Sequence, residues 1–155
     1  MSDDATSYHN LAARGSIEGL KIIAINSDEE TKEDIENFMI EKIKRTEESR
    51  LRRSAVSSLG YVGRYKENKE RIVQELKALL SDESFYVRNT ACVALANILE
   101  NTGDSDAIKE LKHIAEQDQS SGVRATANVC IDIIKGESKK GRKRKIKFTR
   151  SRDKA

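Results

Sequence analysis

The side chains able to do chemistry in this 155-residue chain are few and scattered. Its two histidines, His9 and His113, belong to no His-Glu-x-x-His pattern. Cys92 and Cys130 stand 38 positions apart, with no Cys or His spaced beside them to complete a zinc tetrad. Both fall where packing calls for a small hydrophobe, so no metal and no cofactor is expected. None of the serines sits in Gly-x-Ser-x-Gly, and no glycine-rich phosphate loop is present. The carboxylate pairs Glu29-Glu30 and Glu47-Glu48 read as solvated charge near helix starts. No catalytic residue is assigned, and the chain is expected not to be an enzyme.

Three charge patterns remain. Asp82 precedes Arg88 by six residues and Asp118 precedes Arg124 by six, with Val87 and Val123 just before each arginine. Each Asp then closes one helix and each Arg opens the next, which predicts a structural staple through charge-assisted hydrogen bonds. Leu51-Arg52 repeats the apolar-Arg pair, but Thr46 stands where the Asp would be, so a weaker staple is expected there. The second pattern is the run Lys139, Lys140, Arg142, Lys143, Arg144, Lys145 and Lys147, with Phe148 close behind. Such a run can touch phosphates by releasing counterions, can dock on an acidic protein surface, or can serve solubility alone. A third group, Arg45, Arg50, Arg52, Arg53, Arg64, Lys66 and Arg71, predicts a basic surface around the second repeat.

The elements that must position these residues recur. The segments beginning at Leu51, Val87 and Val123 start 36 residues apart, and one beginning at Ala12 lies 39 before the first of them. Apolar or small residues hold matching offsets: Ser16, Ile17, Leu20, Ile23, Ala24; Ala55, Val56, Leu59, Val62, Gly63; Ala91, Cys92, Leu95, Ile98, Leu99; Ala127, Asn128, Ile131, Ile134. Offsets of this kind mark one face of an α-helix. A second stripe precedes each later segment: Ile72, Val73, Leu76, Leu79, Leu80, then Ala107, Ile108, Leu111, Ile114, Ala115. The earlier equivalent, Ile35, Phe38, Met39, Ile43, fits less well. Helix pairs at a period near 36 cannot each bury a stripe alone, so stacking is required.

Composition agrees. The chain has no Pro and no Trp, 37% hydrophobic and 35% charged residues, which favours helix over a β sandwich or barrel. There is no apolar run of ~18 residues for a membrane span. The start, Met1-Ser2-Asp3-Asp4, is unlike a secretory signal. A cytoplasmic location is expected. The net charge of +3 divides unevenly: residues 136–155 hold ten Lys/Arg and two acids (+8), and residues 1–135 hold nineteen and twenty-four (−5). A repeat domain over 1–135 and a disordered basic tail over 136–155 are expected.

Asp in the intra-pair turn with Val-Arg opening the second helix resembles the HEAT-like repeat family, over about residues 12–135. The resemblance implies an all-α solenoid, a right-handed superhelix of antiparallel helix pairs with about seven helices, acting as a scaffold for a protein partner. The proline usual in the first helix is absent throughout. The stretches 82–88 (Asp-Glu-Ser-Phe-Tyr-Val-Arg) and 14–20 (Arg-Gly-Ser-Ile-Glu-Gly-Leu) are similar to the C-terminal repeats of M1-type zinc aminopeptidases. That similarity implies a wall beside a catalytic domain of a longer chain. A nucleic-acid-associated repeat protein using the tail is the alternative. A repeat enzyme of the DNA-alkylation-repair type is disfavoured, because Tyr61, Tyr65, Phe85 and Tyr86 are too few and scattered for its groove.

Overall fold

The computed structural model describes residues 15–17 and 19–137. These form seven α-helices and no strand: α1 (helical residues 15–17 and 19–25), α2 (Glu29–Arg45), α3 (Ser49–Tyr65), α4 (Glu70–Ala78), α5 (Phe85–Ile98), α6 (Ser105–Gln117) and α7 (Ser121–Lys135). A 3-10 turn, Leu79–Ser81, ends α4. The architecture is an all-α solenoid in which α2–α3, α4–α5 and α6–α7 are successive pairs.

Helix starts are set by side chains that accept otherwise orphaned N–H groups. Asp28 accepts from Thr31 N at 2.8 Å, Glu48 from Leu51 N at 3.0 Å, and Asp104 from Ala107 N at 2.8 Å. At the other end, Gly136 takes φ 76°, the left-handed conformation that terminates α7. The turn after α5 also closes α7: Asn101 N and Gly103 N donate to Ile133 O and Ile134 O at 3.1 and 2.9 Å. The turn after α5 thereby satisfies the last carbonyls of α7.

The stripes form one core. Leu59, Leu76, Leu95 and Leu111 are all fully buried. Second helices pack directly on one another, α3 on α5 and α5 on α7. Gly60 and Gly63 allow the first of these approaches: a Cβ at residue 60 would lie 2.7 Å from Ala94 Cβ, and one at residue 63 would lie 2.6 Å from Ile98 Cδ1. Consecutive first helices instead meet through long side chains, Lys44 to Glu75 at 3.0 Å and Lys77 to Glu110 at 3.2 Å. The row is therefore packed more closely on the second-helix side.

Four stripe positions differ from the expectation, the exposed Ser16 among them. In α2 the buried residues are Ile35, Glu36, Met39, Ile40 and Ile43, and Phe38 is turned out beneath Lys42 Nζ, 5.5 Å from its ring centre. Ile23 is 54% exposed, since no unit precedes α1 among the described residues to cover it. Asn128 is exposed, its amide donating to Arg124 O at 3.2 Å.

Candidate functional site: the second-helix face

The arginines that open the second helices form a ladder. Arg88 grips Asp118 of the following unit with two N–H groups, Nε to Oδ2 at 2.7 Å and Nη2 to Oδ1 at 3.0 Å. Its Nη1 donates back to Asp82 O and Glu83 O at 2.9 and 3.2 Å. Arg52 reaches Asp82 of its own next unit with one guanidinium nitrogen, Nη2 to Oδ2. Each aspartate also accepts from the backbone two residues on, Asp82 from Ser84 N at 2.9 Å and Asp118 from Ser120 N at 2.8 Å. The carboxylate contact thus runs between units at a spacing of 30, and the spacing of six is served by backbone carbonyls. Arg52 draws its carboxylate from Asp82 although Thr46 stands six residues before it, but it makes no hydrogen bond back to the preceding turn among the described residues and so holds fewer contacts than Arg88. The Arg88 hydrogen bonds hold the Asp118 carboxyl below the usual carboxylate range, and Asp118 raises Arg88 in turn.

Arg124 ends the ladder. Its Nη1 donates to Asp118 O and Gln119 O at 2.6 and 3.3 Å, and among the described residues no carboxylate meets its other N–H groups. The outward positions of α7 change character at the same place. Val56 and Cys92 are buried where Asn128 is exposed; Gly60 and Ala96 are buried where Asp132 is exposed. A polar outer face of this kind marks a terminal repeat.

The remaining cations of the second repeat are mostly occupied. Arg45 meets Glu41 at 2.7 Å and Arg64 meets Glu100 at 3.0 Å. Lys66 pairs with the buried Glu36, and Arg71 approaches the other Glu36 oxygen at 3.7 Å. This buried ion pair went unread in the sequence, although a glutamate inside the α2 stripe was its available signal. Among the described residues, Arg50 and Arg53 are left without a carboxylate.

Helix α3 carries four arginines and no acid, whereas α2 contains Glu29, Glu30, Glu33, Asp34, Glu36 and Glu41. Exposed rings sit beside the basic helix. Arg53 lies over the Tyr86 ring at 5.8 Å, and the Phe85 and Tyr86 ring centres are 3.9 Å apart. Two open crevices follow the α5–α7 seam. One, about 340 Å³, includes Arg53, Phe85, Tyr86, Asn89 and Ser120; the other, about 280 Å³ and mainly apolar, includes Val93, Ala96, Asn97, Val129 and Ile133.

Chemistry is sparse. No group of three or more His, Cys, Asp or Glu among the described residues could hold a metal. Cys92 and Cys130 are buried free thiols, both pushed up to about 12 by burial, so neither is a ready nucleophile. His113 is exposed on α6. No described helix is long and apolar enough to cross a membrane. His9, Arg14 and the basic run Lys139, Lys140, Arg142, Lys143, Arg144, Lys145 and Lys147 lie outside the described residues.

A family model of HEAT repeats matches residues 36–131. No curated protein and no solved structure matches the chain.

Proposed function

This chain belongs to the HEAT-repeat family, and on that premise we propose that it is a non-catalytic scaffold that binds another polypeptide in the cytoplasm. One observation carries the reading. The second-helix face presents exposed rings, two unpaired arginines and an apolar seam, while nearly every other charged group near it is consumed in holding the stack. Binding another chain is what such a face can do without a reactive group.

The test is affinity capture with the full chain after exhaustive nuclease digestion, run beside the double variant Val93→Glu/Val129→Glu. Both residues are exposed, so the variant should fold. A polypeptide held by the parent and lost by the variant supports the scaffold. Capture that disappears with nuclease refutes it.

The narrower aminopeptidase reading draws on residues 82–88 and 14–20. In 82–88, Asp82 and Arg88 are engaged in stacking, and that use suits any repeat of this kind. An upstream reading frame containing His-Glu-x-x-His would support the narrower reading. The nucleic-acid alternative draws on the charge of residues 136–155.

A further inference from the structure

The second-helix face has a composition that selects among polypeptides. Its free cations stand at one end: Arg50 and Arg53 have no carboxylate among the described residues, and Arg53 covers the Tyr86 ring at 5.8 Å. No acid on α3 competes for them. Further along α5 lies the apolar crevice of about 280 Å³, with Val93 41% and Val129 58% exposed on its rim. Between and beyond these, Asn89 and Asn97 make no side-chain hydrogen bond among the described residues, and both line the same crevices. Asn89, Val93 and Asn97 follow one another at four-residue steps, so they share one helix face.

Each of these features asks for a different part of one ligand. An unpaired guanidinium over a ring wants a carboxylate. A half-open aliphatic crevice wants an apolar side chain. An asparagine amide offers both a donor and an acceptor, the complement of a peptide bond. We infer that this face takes an acidic, extended segment of a partner protein, with a carboxylate at Arg53, a large apolar side chain between Val93 and Val129, and backbone against Asn89 and Asn97. The inference rests on the scaffold reading and names the partner's chemistry.

The spacing follows from helix geometry. Tyr86 and Val93 are separated by about 10 Å along α5 at 1.5 Å per residue. An extended chain covers that in about three residues. The segment therefore carries Asp or Glu about three positions from Leu, Ile, Met or Phe. Nucleic acid suits the face less well. Arg52, Arg64 and Arg88 already hold Asp82, Glu100 and Asp118, and Arg124 is turned to the carbonyls of Asp118 and Gln119, which breaks the continuous row of cations that a phosphate backbone wants.

The experiment pans a library of random linear peptides, about twelve residues long so that an extended one can follow the whole of α5, on the full chain. Enriched peptides are then titrated by fluorescence anisotropy. Acids about three positions from a large apolar residue should dominate, and Arg53→Glu should weaken binding at least about tenfold. Val129→Asp should do the same, while Lys112→Glu on α6 should leave affinity unchanged; thermal melting confirms that these surface variants fold. No enrichment, or enriched peptides without acids, overturns the inference. So does binding indifferent to Arg53→Glu. Peptides that bind independently of Arg53 and Val129 leave the scaffold reading standing. If no peptide binds and a single-stranded oligonucleotide does so in an Arg53-dependent way, both readings fall.

Discussion

Replacing Arg88 by methionine keeps an unbranched apolar stem and removes the guanidinium that joins two units. Four hydrogen bonds are lost at once, two to the Asp118 carboxylate and two to the carbonyls of Asp82 and Glu83. The side chains of the pair are 14% and 4% exposed, so water cannot replace the lost partner freely. An exposed ion pair contributes about 0–1 kcal/mol. Stranding a buried charge costs about 3–5 kcal/mol. Asp118 keeps the Ser120 N–H, 2.8 Å away, which places the expected loss near the lower end, about 3 kcal/mol. For a chain between the small and mid-sized classes, that corresponds to a melting temperature lower by roughly 10–15 °C. Removing both charges, Arg88→Met with Asp118→Leu, should recover part of the loss, because no unpaired carboxylate is left buried. Thermal and urea unfolding followed by far-ultraviolet circular dichroism measure Arg88→Met, Asp118→Leu and the double variant. A loss below ~1 kcal/mol for Arg88→Met, or a double variant showing the full sum of the single losses, would refute the ladder as a coupled contact.

Gly60→Ala should destabilise the chain by about 1–3 kcal/mol through overpacking against Ala94, although alanine is the better helix former by ~1 kcal/mol; urea unfolding decides the sign. The depressed Asp118 carboxyl contributes stability above its unfolded value of ~3.9 and loses it as pH falls through the folded value. The melting-temperature gap between the parent and Asp118→Asn should therefore be full at neutral pH and close below pH ~4. Cys92 and Cys130, held up at about 12, should react with a disulfide reagent only as fast as the chain opens, and at once in denaturant; prompt reaction of either in the folded chain contradicts the α5–α7 packing. Deleting residues 138–155, which spares the Gly136 cap of α7, should leave the melting temperature unchanged and abolish any duplex-DNA binding whose log–log salt slope is about −0.9 per phosphate; retained, salt-insensitive binding contradicts this.

The period of 36 made most of the fold readable, because each unit buries the same offsets and Leu59, Leu76, Leu95 and Leu111 repeat them without exception. What failed to show was contact between one unit and the next. Arg88 lies six residues from Asp82 in sequence, yet its carboxylate partner is Asp118, 30 residues on, because the stack brings the next turn alongside. Glu36 lies buried in the α2 stripe, and Lys66 at the end of α3 in the same pair, with Arg71 of α4 at 3.7 Å, makes that burial tolerable. Phe38 follows from the same shift, turned out of the core by the rotation that buries Glu36 and Ile40. Ile23 and Asn128 sit on the outermost second helices, where a repeat pattern written for interior units stops applying. The candidate binding face was half visible. Its arginines stood out by type, but which of them are free depended on partners drawn from other units.

Site-specific photo-crosslinking tests the scaffold most directly. A benzophenone side chain is placed at Val93 on α5 in one sample and at Lys112 on α6 in another, both exposed and on different helix rows. Irradiation in cells should give a discrete, protease-sensitive adduct of higher mass from position 93 and none from position 112. An adduct from 112 alone, or a product from 93 that nuclease rather than protease removes, would contradict a polypeptide-binding second-helix face.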